Sequence, residues 1–168
     1  LGQLASCLTL VADVEPLEKA LEMYEAAYRA AFRKRMLAIL GLKAKSEESD
    51  LALLKALFGW MGETRVSWPQ VFFDWFCGTA SEERAGGSPI AYVYQQLAFE
   101  PVRRAFSDHA PERPERLAND YFSGITPVSL LIEEVEAVWG HITEADDWAT
   151  FHALMSRIEA ARKALEML

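Results

Sequence analysis

A chain of 168 residues and 18.9 kDa has the length of one domain or two very small ones, and folded chains of this mass keep roughly 8,300 Å² accessible. Its residues are 51% hydrophobic and 25% charged, enough apolar side chain for a core without disulfides or metals, so disorder and a membrane-spanning chain are both excluded. The net charge of −8 argues against nucleic acid and anionic membrane as partners, since both select basic surfaces.

Leu1, Leu4, Leu8 and Val11 recur at helical spacing and predict a short first helix. Asp13 is a candidate N-cap for the next helix, with Pro16 in its first turn. There Leu17, Leu21, Tyr24, Tyr28, Ala31, Met36 and Ile39 form an apolar stripe down to Leu40, and Gly41 stops it. Its charges follow the macrodipole, with Glu15, Glu18, Glu22 and Glu25 early and Arg29, Arg33, Lys34 and Arg35 late. After the polar segment 43–49, Ser49 is read as the cap of a third helix that buries Leu51, Leu54, Leu57, Phe58 and Met61. A short helix from Trp68-Pro69 to Gly78 carries Trp68, Phe72, Phe73, Trp75 and Phe76, too many rings for a helix with a solvent face.

Residues 79–88, TASEERAGGS, read as a linker. Ser88-Pro89 restarts a helix through Tyr92, Gln95 and Gln96, interrupted at Pro101 and resumed to about Phe106. Residues 109–124 hold two prolines and read as an irregular connector. Thr126-Pro127 opens a helix with Val128, Leu131, Ile132, Val135, Trp139 and Ile142 on one face. Asp146 or Asp147 caps the last helix, striped by Trp148, Phe151, Met155, Ile158 and Leu165. With no sustained alternation of apolar and polar residues, the expected fold is all-α, an irregular bundle of about seven helices without a sheet. It divides into a segment 1–78 of net charge −1 and an acidic segment 79–168 of net charge −7 packed on it.

Chemistry-bearing residues are sparse. Cys7 and Cys77 form neither a disulfide framework nor a metal motif and are read as two buried reduced thiols in a cytoplasmic protein. Glu136, His141 and Asp146 could be imagined as a metal set, but a helix end with its capping acid accounts for them more simply. Gly86-Gly87-Ser88 lacks the spacing and lysine of a phosphate loop, His109 is read as turn chemistry and His152 as half-buried surface. Arg29, Arg33, Lys34 and Arg35 complement a helix C-terminus. No catalytic, cofactor or metal residue is assigned. The opening LGQLASCLTLV has neither an initiating Met nor a basic leader, and reads as the start of a fragment.

The first 78 residues carry a resemblance. A Leu-rich helix, a turn at Pro16, a long helix with Tyr24 and Tyr28 ending RMLAILGL, and then DLALLKALFGWM resemble the C-terminal part of the SelO (YdiU) family of selenoprotein-O-like pseudokinases. Met36, Leu40, Gly41 and Leu42 match that family's Met-x-x-Lys-Leu-Gly-(Leu/Phe) ending, with Ile39 in place of its Lys. Asp50, Leu53, Leu54, Leu57 and Met61 match the helix that follows. The family's acidic-Tyr-Thr stretch is replaced by Val66-Ser67-Trp68-Pro69, and its redox-active C-terminal Cys has no counterpart in the closing Ala-Leu-Glu-Met-Leu. The resemblance implies a protein adenylyltransferase that uses ATP and Mg²⁺ to move AMP onto Ser, Thr or Tyr hydroxyls of protein substrates. Its catalytic groups would lie upstream in a kinase-like domain, and this chain would support or regulate that domain. The alternative is a stand-alone helical interaction module.

Overall fold

The computed structural model describes residues 2–165. Leu1, counted above in the first helix, and the closing Glu166, Met167 and Leu168 lie outside them. The described residues are all-α, with nine α-helices, four 3-10 segments and no strand; an isolated antiparallel bridge joins Leu42 to Pro111. None of these helices is long and apolar enough to cross a membrane.

Helix α1 (Gly2–Leu8) leads into α2 (Val14–Ile39), and α3 (Glu47–Thr64) follows. Ser46, not Ser49, caps α3: its Oγ accepts the Ser49 amide at 3.2 Å, because the helix starts three residues earlier than the apolar pattern shows. The aromatic helix is shorter than its ring density suggests. It runs as α4 (Trp68–Asp74) and then unwinds, because the Cys77 amide donates to the Leu40 carbonyl at 2.8 Å and draws the chain across the end of α2. Phe73, Trp75 and Phe76 are buried there, while Trp68 stays half exposed.

Residues 79–88 are not a linker. They form a 3-10 turn (Gly78–Ser81) and α5 (Glu82–Gly86), and Ser81, Ala85 and Ser88 are buried, since the small side chains that suggested a flexible stretch are what let it pack closely. Then come α6 (Ala91–Tyr94), a 3-10 turn (Leu97–Phe99) and α7 (Glu100–Ser107). Pro101 does not interrupt α7 but sits in its first turn, where its missing amide costs nothing. Two further 3-10 turns (Pro114–Ala118 and Asp120–Ser123) precede α8 (Ile132–Ala145) and α9 (Ala149–Leu165). Thr126-Pro127 does not open α8. Pro127 and Val128 instead sit with Tyr121, Ala161 and Leu165 around an apolar cleft of about 180 Å³, so this segment stays extended until Ile132.

The core lies between α3 and α7 and the ends of α2 and α4. Leu40, Leu53, Leu57, Met61, Val71, Trp75, Phe99, Val102 and Phe106 are all essentially inaccessible. Gly41 makes this junction possible. Its φ is +64°, and a Cβ there would stand 2.9 Å from the Phe76 ring and 3.1 Å from Cys77 Sγ. Gly41→Ala is therefore expected to lower stability by about 2–4 kcal/mol, combining the left-handed backbone with overpacking; chemical denaturation measures it, and a loss under ~1 kcal/mol would show that the ring yields freely.

The periphery is unlike the core. The predicted stripe of α2 is real as a pattern but is buried only where it ends, at Leu40, beside Leu37, which the stripe did not include; Tyr24 and Tyr28 are half exposed. No residue of α8 is buried, and α9 buries only Ala161 and Ala164. The accessible surface is 11188 Å², well above the roughly 8,300 Å² of a compact chain this size.

Candidate functional site

Two buried polar clusters stand out against this apolar core. In the first, Gln70 and Asp74, one turn apart on α4, face the same way. The Asp74 carboxylate accepts from Gln70 Nε2 at 2.8 Å, Ser88 Oγ at 2.5 Å and Tyr94 Oη at 2.7 Å. Gln70 also donates to the Ile125 carbonyl at 2.9 Å, and Ser88 Oγ accepts the Ile90 amide at 3.2 Å. The cluster thus ties α4, the turn before α6 and the chain leading to α8 together. Burial pushes the Asp74 carboxyl above its ordinary value, against the three hydrogen bonds and the Arg84 charge, which lower it. Burial likewise raises the Tyr94 hydroxyl, with the neighbouring Asp74 charge adding to the effect.

Arg84 closes the end of α4. Its Nη2 donates to the carbonyls of Phe73 and, at 3.0 Å, Asp74, and its guanidinium lies 4.7 Å from the Phe73 ring centre and 5.0 Å from that of Phe122. Desolvation lowers its pKa. Beside Asp74 and Arg84 opens a cleft of about 480 Å³, lined also by Ser81, Leu117, Ser123 and Ile125. The Asp74 carboxylate and Arg84 Nη2 are already engaged with protein partners, while Arg84 Nε and Nη1 are buried without a hydrogen-bond partner; Glu83 also lines the cleft, and no histidine or cysteine stands among its lining residues. The cluster is a strut beside a cleft, not an assembled acid–base pair.

The second cluster centres on Asp50, which accepts from the Lys45 amide at 3.0 Å and faces Arg33 Nη1 at 3.5 Å. His109 places Nε2 3.1 Å from the same carboxylate and Nδ1 2.9 Å from the Ala105 carbonyl. It is buried, so the reading of His109 as turn chemistry understated it: it pins the end of α7 to the start of α3.

The other residues weighed in the sequence stay apart. Asp146 closes α8 and accepts from Trp148 Nε1 at 2.9 Å; Asp147 caps α9 through the Ala149 amide at 2.9 Å. Among the described residues no His, Cys, Asp and Glu come together as a metal set. The Gly87 and Ser88 amides donate to the Arg84 and Ala85 carbonyls, leaving no cradle for phosphate. Arg29 pairs with Glu25 and Arg33 with Asp50, while Lys34 and Arg35 remain exposed. His152 is exposed beside Phe151. Cys77 is buried, as expected, with its thiol raised by desolvation; Cys7 is exposed, because α1 lies at the margin of the fold with no core behind it.

A chain of rings runs out from the core along α2. Trp68 and Phe58 lie 5.2 Å apart, Phe58 and Phe32 6.0 Å, Phe32 and Tyr28 6.1 Å, and Tyr28 and Tyr24 5.9 Å. Apart from Phe58 these rings are substantially exposed.

A family model described as protein adenylyltransferase SelO matches residues 1–159. The match therefore extends well beyond the 78 residues in which the sequence carries its resemblance. Two curated proteins, each named protein nucleotidyltransferase YdiU, are similar. That of Gloeobacter violaceus is 28% identical over 164 residues, covering 90% of this chain and 32% of its own length. That of Trichodesmium erythraeum is 28% identical over 166 residues, covering 92% and 34%. The chain spans about a third of the length of these relatives. No solved structure matches it.

Proposed function

This chain belongs to the protein adenylyltransferase SelO family, and from that membership we propose that it is a non-catalytic helical region that supports or regulates a kinase-like, ATP- and Mg²⁺-dependent domain of the same protein. The whole protein would transfer AMP to hydroxyls of protein substrates in the cytoplasm. The observation that carries the reading is the excess of accessible surface together with the ring ladder on α2. A ladder that continues out of the core as half-exposed Tyr24, Tyr28 and Phe32 is a surface suited to burial against a further domain, since apolar patches of this extent favour contact over water. Each such side chain gains roughly 1.5–3 kcal/mol on full burial. The two buried polar clusters fit a scaffold role: both cross-link helices.

Two measurements test this. Titration of the isolated chain with ATP and Mg²⁺ by calorimetry is expected to give no heat of binding; a micromolar dissociation constant would contradict a non-catalytic role. Grafted in place of the matched third of the Gloeobacter protein, the chain is expected to melt in one transition with the rest. Tyr28→Asp with Phe32→Asp should split that transition in two. A graft that melts independently from the outset contradicts packing through this face.

A further inference from the structure

His109 is 4% exposed, just past the end of α7, and its ring is aimed at two oxygens. Nδ1 lies 2.9 Å from the Ala105 carbonyl and Nε2 3.1 Å from Asp50 Oδ1. A carbonyl oxygen accepts hydrogen bonds and has none to give. Asp50 meets donors at both of its oxygens as well: Oδ1 takes the Lys45 amide at 3.0 Å and Oδ2 faces Arg33 Nη1 at 3.5 Å. A ring hydrogen, not a carboxyl hydrogen, therefore fills the contact between Asp50 and His109.

A neutral imidazole has one N–H and one bare nitrogen. With Nδ1 protonated, the bare Nε2 would face the carboxylate; with Nε2 protonated, the bare Nδ1 would face the carbonyl. Turning the ring over replaces both nitrogens by carbons and loses both bonds. Only a ring with hydrogens on both nitrogens meets both acceptors. The setting suits its charge. Ala105 lies in the last turn of α7, where carbonyls lack helical partners and the macrodipole is negative, and the His109 amide itself goes to the Phe106 carbonyl. Burial opposes a charge here, and the Asp50 carboxylate offsets it as a hydrogen-bonded counter-ion. Asp50 from α3 and Arg33 from α2 are the charged side chains of this cluster, and Asp108, next to His109 in the chain, is exposed.

We infer that His109 is held as an imidazolium in the folded chain, and that its second ring proton is the ligand that latches the end of α7 to the start of α3. The position gives the latch leverage. Beside it the Lys43 amide donates to the Ala110 carbonyl at 2.9 Å and the Glu112 amide to the Gly41 carbonyl at 2.8 Å. Residues 41–45 and 109–112 thus pair next to the contact between Asp50 and His109, around the bridge from Leu42 to Pro111. Loss of the proton turns a lone pair on an oxygen and loosens both sides of this junction. A folded chain that holds this proton more tightly than the unfolded chain gains stability while the ring is charged, and loses that gain as pH rises until the ring is neutral. The inference is independent of the support role argued above, which rests on the α2 face.

The test is a proton–nitrogen correlation spectrum of isotope-labelled histidine rings in the full chain at pH 7, where a free imidazole, with a pKa of about 6.5, is mostly neutral. His109→Gln assigns the signals by their loss. The His109 ring is expected to show both nitrogens protonated. Asp50→Asn is expected to remove one ring hydrogen, because the Asn amide can donate to Nε2 while Nδ1 still donates to Ala105. When pH is raised until the wild-type ring becomes neutral, the backbone amides of Lys43, Lys45 and Glu112 should shift with the same midpoint. The inference is overturned by a wild-type ring with one bare nitrogen at neutral pH, by two ring hydrogens persisting in folded Asp50→Asn, or by junction amides that stay still as the ring titrates. Should Asp50→Asn fail to fold, the two wild-type measurements decide by themselves.

Discussion

Asp74→Ala is expected to lower stability by about 3–5 kcal/mol, because it strips the acceptor from several buried donors at once. Gln70, Ser88 and Tyr94 all donate to this carboxylate, and all three side chains are buried with it. Asp74→Asn keeps the shape and one acceptor and should cost less. The two substitutions also separate hydrogen bonding from charge through pH. Burial raises the folded-state carboxyl above its ordinary value of 3.8, so between that value and the raised one the folded state binds more protons than the unfolded state. Wild-type stability then falls as pH rises through this window. Asn does not titrate, so the deficit of Asp74→Asn relative to wild type should shrink as pH rises from about 4. A deficit that instead widens with pH would mean the hydrogen bonds outweigh desolvation at this carboxylate.

Trp75→Ala is the second large effect, expected at about 3–5 kcal/mol. Trp75 is 1% exposed and stacks on Phe106 with ring centres 5.3 Å apart and planes 2° from parallel. Tyr94 and Phe99 meet it at 5.6 and 4.9 Å. Removing it opens a cavity bounded by three rings that are themselves fixed by α6, α7 and the turn between them, so little collapse can follow. Trp139→Ala is the matched contrast. It removes the same side chain from an exposed position on α8 and should change stability by less than about 0.5 kcal/mol. Denaturant unfolding of the two variants compares them directly. Equal losses would show that α8 is as much part of the cooperative core as α4.

Much of this was legible from residues alone. The all-α class follows from the apolar spacing of α2, α3, α8 and α9, and the end of α2 from Gly41, whose positive φ no other residue adopts as freely. Periodicity shows which residues share a face and not whether that face is covered, which is why Tyr24, Tyr28 and Trp139 fall on apolar stripes and yet stand in solvent. The packed turn at 79–88 was hidden for the opposite reason. Its Ser, Ala and Gly residues look like a linker until Asp74 and Arg84 give Ser88 and Ser81 buried partners. Gln70 and Asp74 one turn apart inside an aromatic helix were the one local sign of the Asp74 cluster. Its other members come from residues 14 and 20 positions further on, and no local pattern marks them. The same holds for Asp50 and His109, 59 residues apart.

The central claim is that the fold is carried by residues 37–122 and that the N-terminal length of α2 and helix α8 stand outside its cooperative core. Native-state hydrogen exchange on the isolated chain tests it most directly, since amides in a cooperative core open only with global unfolding and those in peripheral units open locally. Amides of α3, α4 and α7 are expected to exchange at the global unfolding free energy, and those of α8 and of α2 before Met36 orders of magnitude faster. Protection of α8 and the start of α2 equal to that of α3 would contradict the account.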